Sequence, residues 1–306
     1  MTAMPWLGLA LAAGWAVLVV RFTRQRAGGP AGQRFFRSPA AAAGLGVLAF
    51  FVALAIAAPL IAPYRPSLQL DITGLQDQPP SWRHPLGTDL YSRDIWSRVV
   101  FGARVSLGVG LLATLVGVAL AAAVGAAAGY FRRVADDVLM RLVDVGLAVP
   151  RIFIVLAAIA VGQRLGAVPL ALLLGLTGWF GTSRLVRADV LALREQAWVD
   201  AARALGVRPW RIIARHVLPH AAATLIVCTA LGVANMMLLE ASLSFLGVGV
   251  QPPTPSWGNM IADARDQLAT APWGSLFPGL ALTAVVMALH VVADALRDAL
   301  DPSMRA

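Results

Sequence analysis

Side chains able to do chemistry are sparse in this chain and poorly spaced for catalysis. The four histidines, His84, His216, His220 and His290, show no HExxH spacing, so a metal centre has no signature here. Cys228 stands alone in an apolar run, which excludes a disulfide framework and a thiolate cluster. Its plain reading is a small membrane-buried side chain. No G-x-x-x-x-G-K-[ST] sequence occurs, so the chain cannot cradle ATP phosphates by that loop and any ATP energy must come from another chain. No Ser-His-Asp or paired-carboxylate arrangement is readable, and an enzyme reading of the isolated chain is rejected. Two features remain. One is Glu240, an ionisable group late in an apolar segment, followed by a Pro-rich stretch (251–257) that ends at Trp257. Ionisable groups in spans mark pathways or relays. Glu240 and Trp257 are therefore candidates for a pathway or gate, although Glu240 lies near the end of its segment, where a carboxylate bonded to a neighbouring helix or loop is the plainer reading. The Pro-rich stretch reads as the outer mouth or as a rigid turn. The other feature is a basic, amphipathic stretch around Asp200.

These residues have to be positioned by membrane helices. The 306 residues are 58% hydrophobic and 13% charged, against about 25% charged in soluble domains, so there is too little charge to coat a water-facing surface. Six apolar segments are long enough to cross a bilayer as helices: about 40–62, 105–129, 145–162, 168–186, 221–246 and 275–293. A seventh run, about 5–20, is followed by Arg21, Arg24 and Arg26 rather than preceded by them, the reverse of a secretory signal. It reads as an extra helix or as a loosely inserted appendage. The expectation is an all-α, polytopic transmembrane bundle of about six core helices. It divides into an N-terminal extension (1–38), a first core helix with its outer loop (39–104) and a core (105–303).

All 25 basic residues are Arg and the net charge is +9. They sit between apolar spans, which fits membrane topology better than nucleic-acid binding. Stretches 21–38, 131–151, 184–219 and 297–306 hold 18 Arg, the alternate stretches 7. The positive-inside rule puts the first set, and the C-terminus, in the cytoplasm. Ala121, Gly125 and Gly129 form a small-xxx-small ladder, which lets helix backbones approach closely.

The cytoplasmic stretch 184–219 is too long for a plain connector. Trp198, Ala201, Ala202 and Leu205 recur at helical spacing beside Arg194 and Arg203. Gly206 suits a helix stop in the left-handed conformation. Pro209 then suits the first turn of a second helix, 209–218, which Pro219 closes. The product is a basic, amphipathic helix-turn-helix that reads equally as lying on lipid or docking into a partner's groove.

Asp200-Ala-Ala-Arg-Ala-Leu-Gly206, Ile212 and His216-Val-Leu-Pro219 resemble the EAA loop (E-A-A-x-x-x-G, then H-x-L-P) of binding-protein-dependent ABC importers, with Asp200 where Glu is usual. In the outer loop, His84-Pro-Leu-Gly-Thr-Asp89, Ser92-Arg-Asp94 and Ser97-Arg98 resemble a segment of the peptide/nickel branch of that family, with Ser92 at a position that is often Gly. There, from spacing alone, Thr88 is expected to cap a short helix and Asp94–Arg98 to form an i,i+4 pair. Ser244–Gly258 and Leu296–Pro302 extend the resemblance, which runs in order over about 40–303. It implies the type I importer permease fold and an inner-membrane location. It also implies a sister permease, two ATPase subunits that bind ATP and Mg, and a periplasmic or lipid-anchored substrate-binding protein. Asp200, Ala201, Ala202, Leu205, Gly206, Ile212, His216 and Pro219 would then lie at or near the ATPase contact. The implied cargo is a di- or oligopeptide, with nickel as the alternative. An ion-coupled carrier or channel is a reading from a different class, but it leaves the long cytoplasmic loop unexplained.

Overall fold

An apolar segment in lipid has only its own backbone to hydrogen-bond with, so the long Ala/Leu/Val/Gly runs fold as helices. The computed structural model describes residues 4–162 and 166–300. Arg164 of the short outer stretch, and Asp301 and Pro302 of the C-terminal motif, lie outside them. Among the described residues the architecture is helical, with a single isolated bridge between Thr88 and Asp94. In order the helices are α1 (Met4–Arg26), α2 (Pro30–Phe35), α3 (Pro39–Ile61), α4 (Ile95–Phe131), α5 (Arg133–Ala148), α6 (Arg151–Gly162), α7 (Ala167–Thr177) and α8 (Phe180–Leu193). Then come α9 (Ala197–Ala204), α10 (Pro209–Ile212), a π-helical stretch (Ile213–Val217), α11 (Leu218–His220), α12 (Ala222–Phe245), α13 (Trp257–Asp263) and α14 (Trp273–Leu300).

Helices α3, α4, α12 and α14 are each long and apolar enough to cross a membrane. The other two expected spans are not single helices. The segment expected at 145–162 is the pair α5–α6, bent by 81°. Pro150 lies at the bend; it has no N–H to donate and disfavours helical geometry in the residue before it. The segment expected at 168–186 breaks at Gly178 and Trp179 into α7 and α8. Helix α8 runs on to Leu193, so the first third of the expected cytoplasmic loop is a continuation of that helix rather than loop. Likewise α4 starts ten residues before the expected 105, at Ile95. The run at 5–20 is helical and lies along α3, with Ala12 and Ala16 buried.

Helix α4 is the central post, packed by α3, α7, α8 and α12. Its small residues set the approach distances. A Cβ on Gly125 would lie 2.5 Å from the Ser183 carbonyl oxygen, and one on Gly129 would lie 2.9 Å from that of Arg187. The Ala121–Gly125–Gly129 ladder therefore meets α8 of the same chain. Earlier along the same i,i+4 row of α4, a Cβ on Gly175 of α7 would lie 2.7 Å from the Ala113 carbonyl oxygen.

The outer loop between α3 and α4 is held by a buried ionic clasp. Arg93 Nε donates to Asp89 Oδ2 at 2.6 Å and Arg93 Nη2 to Asp263 Oδ2 at 2.9 Å, while Arg98 Nη2 reaches the same Asp263 oxygen at 3.2 Å. His84 Nδ1 lies 2.9 Å from Asp94 Oδ1. The expected Asp94–Arg98 pair is not formed: Asp94 is the N-cap of α4, accepting from the Ser97 N–H, and is taken up by His84 and Ser97. Nor does Thr88 cap a helix; its hydroxyl accepts from the Gln78 N–H and donates to the Leu75 carbonyl, tying two parts of the loop together.

Ser92 is fully buried, has φ +58°, and its hydroxyl finds no partner in the protein. The left-handed conformation costs an L-residue about 1–2 kcal/mol. Ser92→Gly removes both defects and is expected to stabilise the assembled protein by about 1 kcal/mol net of the extra chain entropy of glycine. Thermal unfolding of the purified complex checks this; an unchanged or lower midpoint would count against it.

Candidate functional site

The segment after α8, from Arg194 to His220, is a packed bracket with a bare tip. Val199 of α9, Ile212 of α10 and Val217 of the π stretch are all fully buried. They pack with Ala126 and Tyr130 of α4 and with Val186 and Val190 of α8. An apolar residue inward from each arm of the bracket thus seats it on the ends of the two helices that the glycine ladder already clamps together. Trp198 stacks on His220, with ring centroids 4.9 Å apart, closing the two arms on each other.

Polar contacts fix the bracket further. Arg194 donates to the Tyr130 carbonyl. Arg203 donates to the Tyr130 hydroxyl at 3.3 Å and to Asp200 Oδ1 at 2.9 Å. The Tyr130 hydroxyl is the main influence holding the Arg203 guanidinium above the usual arginine range, against a smaller opposing effect of burial. Asp200 itself is two-thirds exposed, so most of its carboxylate faces outward.

Between the arms the chain reverses at Gly206, whose φ is +73° and whose N–H donates to the Arg203 carbonyl at 2.9 Å. Around this turn the surface is apolar and basic. Leu205 is 83% and Trp210 is 58% exposed, beside exposed Arg208 and Arg211. Large apolar groups held out in this way mark a protein or membrane contact.

Of the residues singled out by motif, Asp200, Ala201, Leu205, Gly206, His216 and Pro219 are exposed, Ala202 is half-buried, and Ile212 faces inward. Ile212 is an anchor of the bracket rather than part of its outer face. Pro219 does not close the second arm. The chain continues helically from α10 through the π stretch and α11 into α12, with the Ala221 N–H donating to the Val217 carbonyl and the Leu225 N–H to that of Ala221. Trp210 and Tyr130 escaped the motif reading. A tryptophan after the turn proline, among arginines, was the available signal for the first; nothing in the sequence joined Tyr130 to a loop some seventy residues away.

Glu240 and Trp257 are both fully buried. Ser244 Oγ donates to Glu240 Oε1 at 2.7 Å, and Ser244 Oγ in turn accepts from the Val250 N–H at 3.3 Å. Trp257 donates from its indole to the Val99 carbonyl at 3.0 Å, and its backbone N–H donates to Ser106 Oγ. Ser256 and Asn259 form a capping box at the start of α13. These groups pin the Pro-rich segment and α13 to α4 and α12. His290 contacts the Val286 carbonyl of its own helix and is a packed residue.

Two family models match the chain. The binding-protein-dependent transport system inner membrane component covers residues 109–306, and the N-terminal TM domain of oligopeptide transport permease C covers residues 30–80. Three curated proteins illustrate the similarity. The dipeptide transport system permease protein DppC of Alkalihalophilus pseudofirmus is 40% identical over 86% of this chain and 85% of its own length. The oligopeptide transport system permease protein OppC of Mycobacterium tuberculosis is 40% identical over 89% and 94%. The glutathione transport system permease protein GsiD of Pectobacterium atrosepticum is 38% identical over 89% and 90%.

Proposed function

We propose a peptide-import role for this chain on one premise: it belongs to the family of binding-protein-dependent transport system inner membrane components. Members are membrane-spanning transport subunits that work with an ATPase and a substrate-binding protein. In our reading the cargo is a di- or oligopeptide, in keeping with what several of the similar proteins are named for. The chain pairs with a sister permease over two ATPase subunits and receives peptide from a periplasmic or lipid-anchored binding protein. Its C-terminus is cytoplasmic. The carrying observation is the α9–α10 bracket, buried where it meets α4 and α8 and bare at Leu205, Gly206 and Trp210. Such a bracket passes rigid-body motion of an ATPase directly to two clamped helices.

The test is to purify the chain from its native host in mild detergent and identify what accompanies it, then to reconstitute the recovered assembly in liposomes. A sister permease with Walker-motif ATPases, and ATP-dependent uptake of labelled peptide, are the expected results. A chain that remains alone under conditions that keep a known importer intact would sink the proposal, as would an intact assembly that hydrolyses ATP but moves no peptide.

A further inference from the structure

The bend between α5 and α6 and the break between α7 and α8 lie beside each other. Helix α6 begins at Arg151, just past the 81° bend, and α7 ends at Gly178. The Arg151 guanidinium lies across Gly178, where a Cβ would come to 2.7 Å from Nη2. Nη2 donates to the Leu174 carbonyl and lies 3.0 Å from Met236 Sδ, and Nε lies 3.3 Å from Thr177 Oγ1. Each of these partners is neutral, and none engages Nη1. Among the described residues no carboxylate lies within ion-pairing distance of this guanidinium. Counted along the sequence, Arg151 looks like one more cytoplasmic positive charge; in the fold it sits at the bend between α5 and α6, packed against the end of α7.

A cavity of about 200 Å³ opens beside it, lined also by Thr114, Thr182, Cys228 and Asn235. Asn235 lies near the middle of α12 and is exposed, and among the described residues its amide makes no side-chain hydrogen bond. A guanidinium without a carboxylate partner, at the start of α6, and an amide near the middle of α12 thus line one opening. Hydrocarbon cannot satisfy either group, so the opening belongs to a polar route rather than to lipid.

We propose that Arg151, supported by Thr182 and Asn235, is a binding station for the C-terminal carboxylate of the peptide in transit. The assignment rests on the peptide-import reading above. Arginine is the side chain best suited to grip a carboxylate, while a hydroxyl and an amide can serve the last peptide bond. A free carboxylate is the anion that every unmodified peptide carries whatever its side chains. A station that reads it can pass many sequences. Gly178 is part of the device, because any side chain there would displace the guanidinium.

The experiment uses the complete transporter, with its binding protein, in liposomes. Uptake of one dipeptide as the free acid and as its C-terminal amide is compared for wild type, Arg151→Gln and Arg151→Lys. Dividing each protein's acid-to-amide ratio by that of wild type cancels selection by the binding protein. The ratio is expected to fall roughly tenfold or more in Arg151→Gln, as loss of a charged hydrogen bond implies, and to recover in good part in Arg151→Lys. An unchanged ratio overturns the proposal. So does an equal loss of acid and amide uptake, which would make the partner of Arg151 a carboxylate of the sister subunit. Should Arg151→Gln fail to assemble, Gly178→Ala replaces it, with a selective loss of acid uptake expected and an equal loss again contradicting the station. A wild-type assembly that burns ATP yet imports neither peptide form would overturn the peptide reading itself; a wild type that imports peptide with a ratio insensitive to residue 151 would overturn only the station.

Discussion

Gly206→Pro is expected to abolish ATP-driven uptake, with the chain still inserted and still recovered from the membrane. Proline cannot adopt the +73° φ of this residue. It also deletes the N–H that bonds the Arg203 carbonyl. The turn that presents Leu205 and Trp210 then cannot form, and these are the large apolar groups of the tip. Gly206→Ala separates geometry from contact. No atom lies within 4 Å of a Cβ built there, so alanine meets only the left-handed strain, about 1–2 kcal/mol. It is expected to keep most of the uptake. Asp200→Arg attacks the same surface by charge, removing the Arg203 partner and adding a like charge beside it, and should also stop transport. Uptake of labelled peptide and ATPase activity, measured on the same preparations, decide the matter. Wild-type uptake by Gly206→Pro would remove this loop from energy coupling.

Asp89→Ala is expected to cost about 3–5 kcal/mol, the usual penalty for stranding a buried charge. Arg93 and Arg98 have side chains 10% and 4% exposed, and they share Asp89 and Asp263 between them. Without Asp89, two guanidiniums confront one carboxylate, and the Tyr91 and Arg93 N–H groups lose the oxygen they donate to. Asp89→Asn keeps an acceptor and should cost less. Asp71 is the control: it is exposed and serves only a local turn through the Thr73 and Gly74 N–H groups, so Asp71→Ala should change little. Yield and thermal stability of the purified complex provide the readout. If Asp89→Ala is no worse than Asp71→Ala, the clasp is not what secures the outer loop.

Much of this was legible in the residues because it depends on local chemistry. Apolar length located α3, α12 and the start of α14 to within a few residues, α14 then running seven residues past its expected end, and the left-handed Gly206 followed from a helix stop before Pro209. The breaks at Pro150 and Gly178 were harder. Both lie inside runs apolar enough to count as spans, and hydropathy does not register a bend. Pairings across the chain were harder still. Asp94 has Arg98 at ideal helical spacing, yet His84 takes the carboxylate because Asp94 is the cap before the helix rather than a residue within it. Glu240 drew notice as a charge in an apolar run, whereas Arg151, with the stronger claim to a passing ligand, was absorbed into a tally of loop arginines.

The continuity of the second arm with α12 bears on how force would travel. From Pro209 to Asn235 the chain winds as a nearly unbroken helix, roughly 39 Å of path at about 1.5 Å per residue. In the proposed coupling, a push on the tip would pass along this path, largely through backbone hydrogen bonds, to the wall of the cavity beside Arg151. Side-chain contacts, which slip and repack, are not needed as intermediates. That strut departs from α-helical geometry at two places, the π stretch Ile213–Val217 and Ala221 with ψ 2°, so any compliance the proposed coupling needs is sought there.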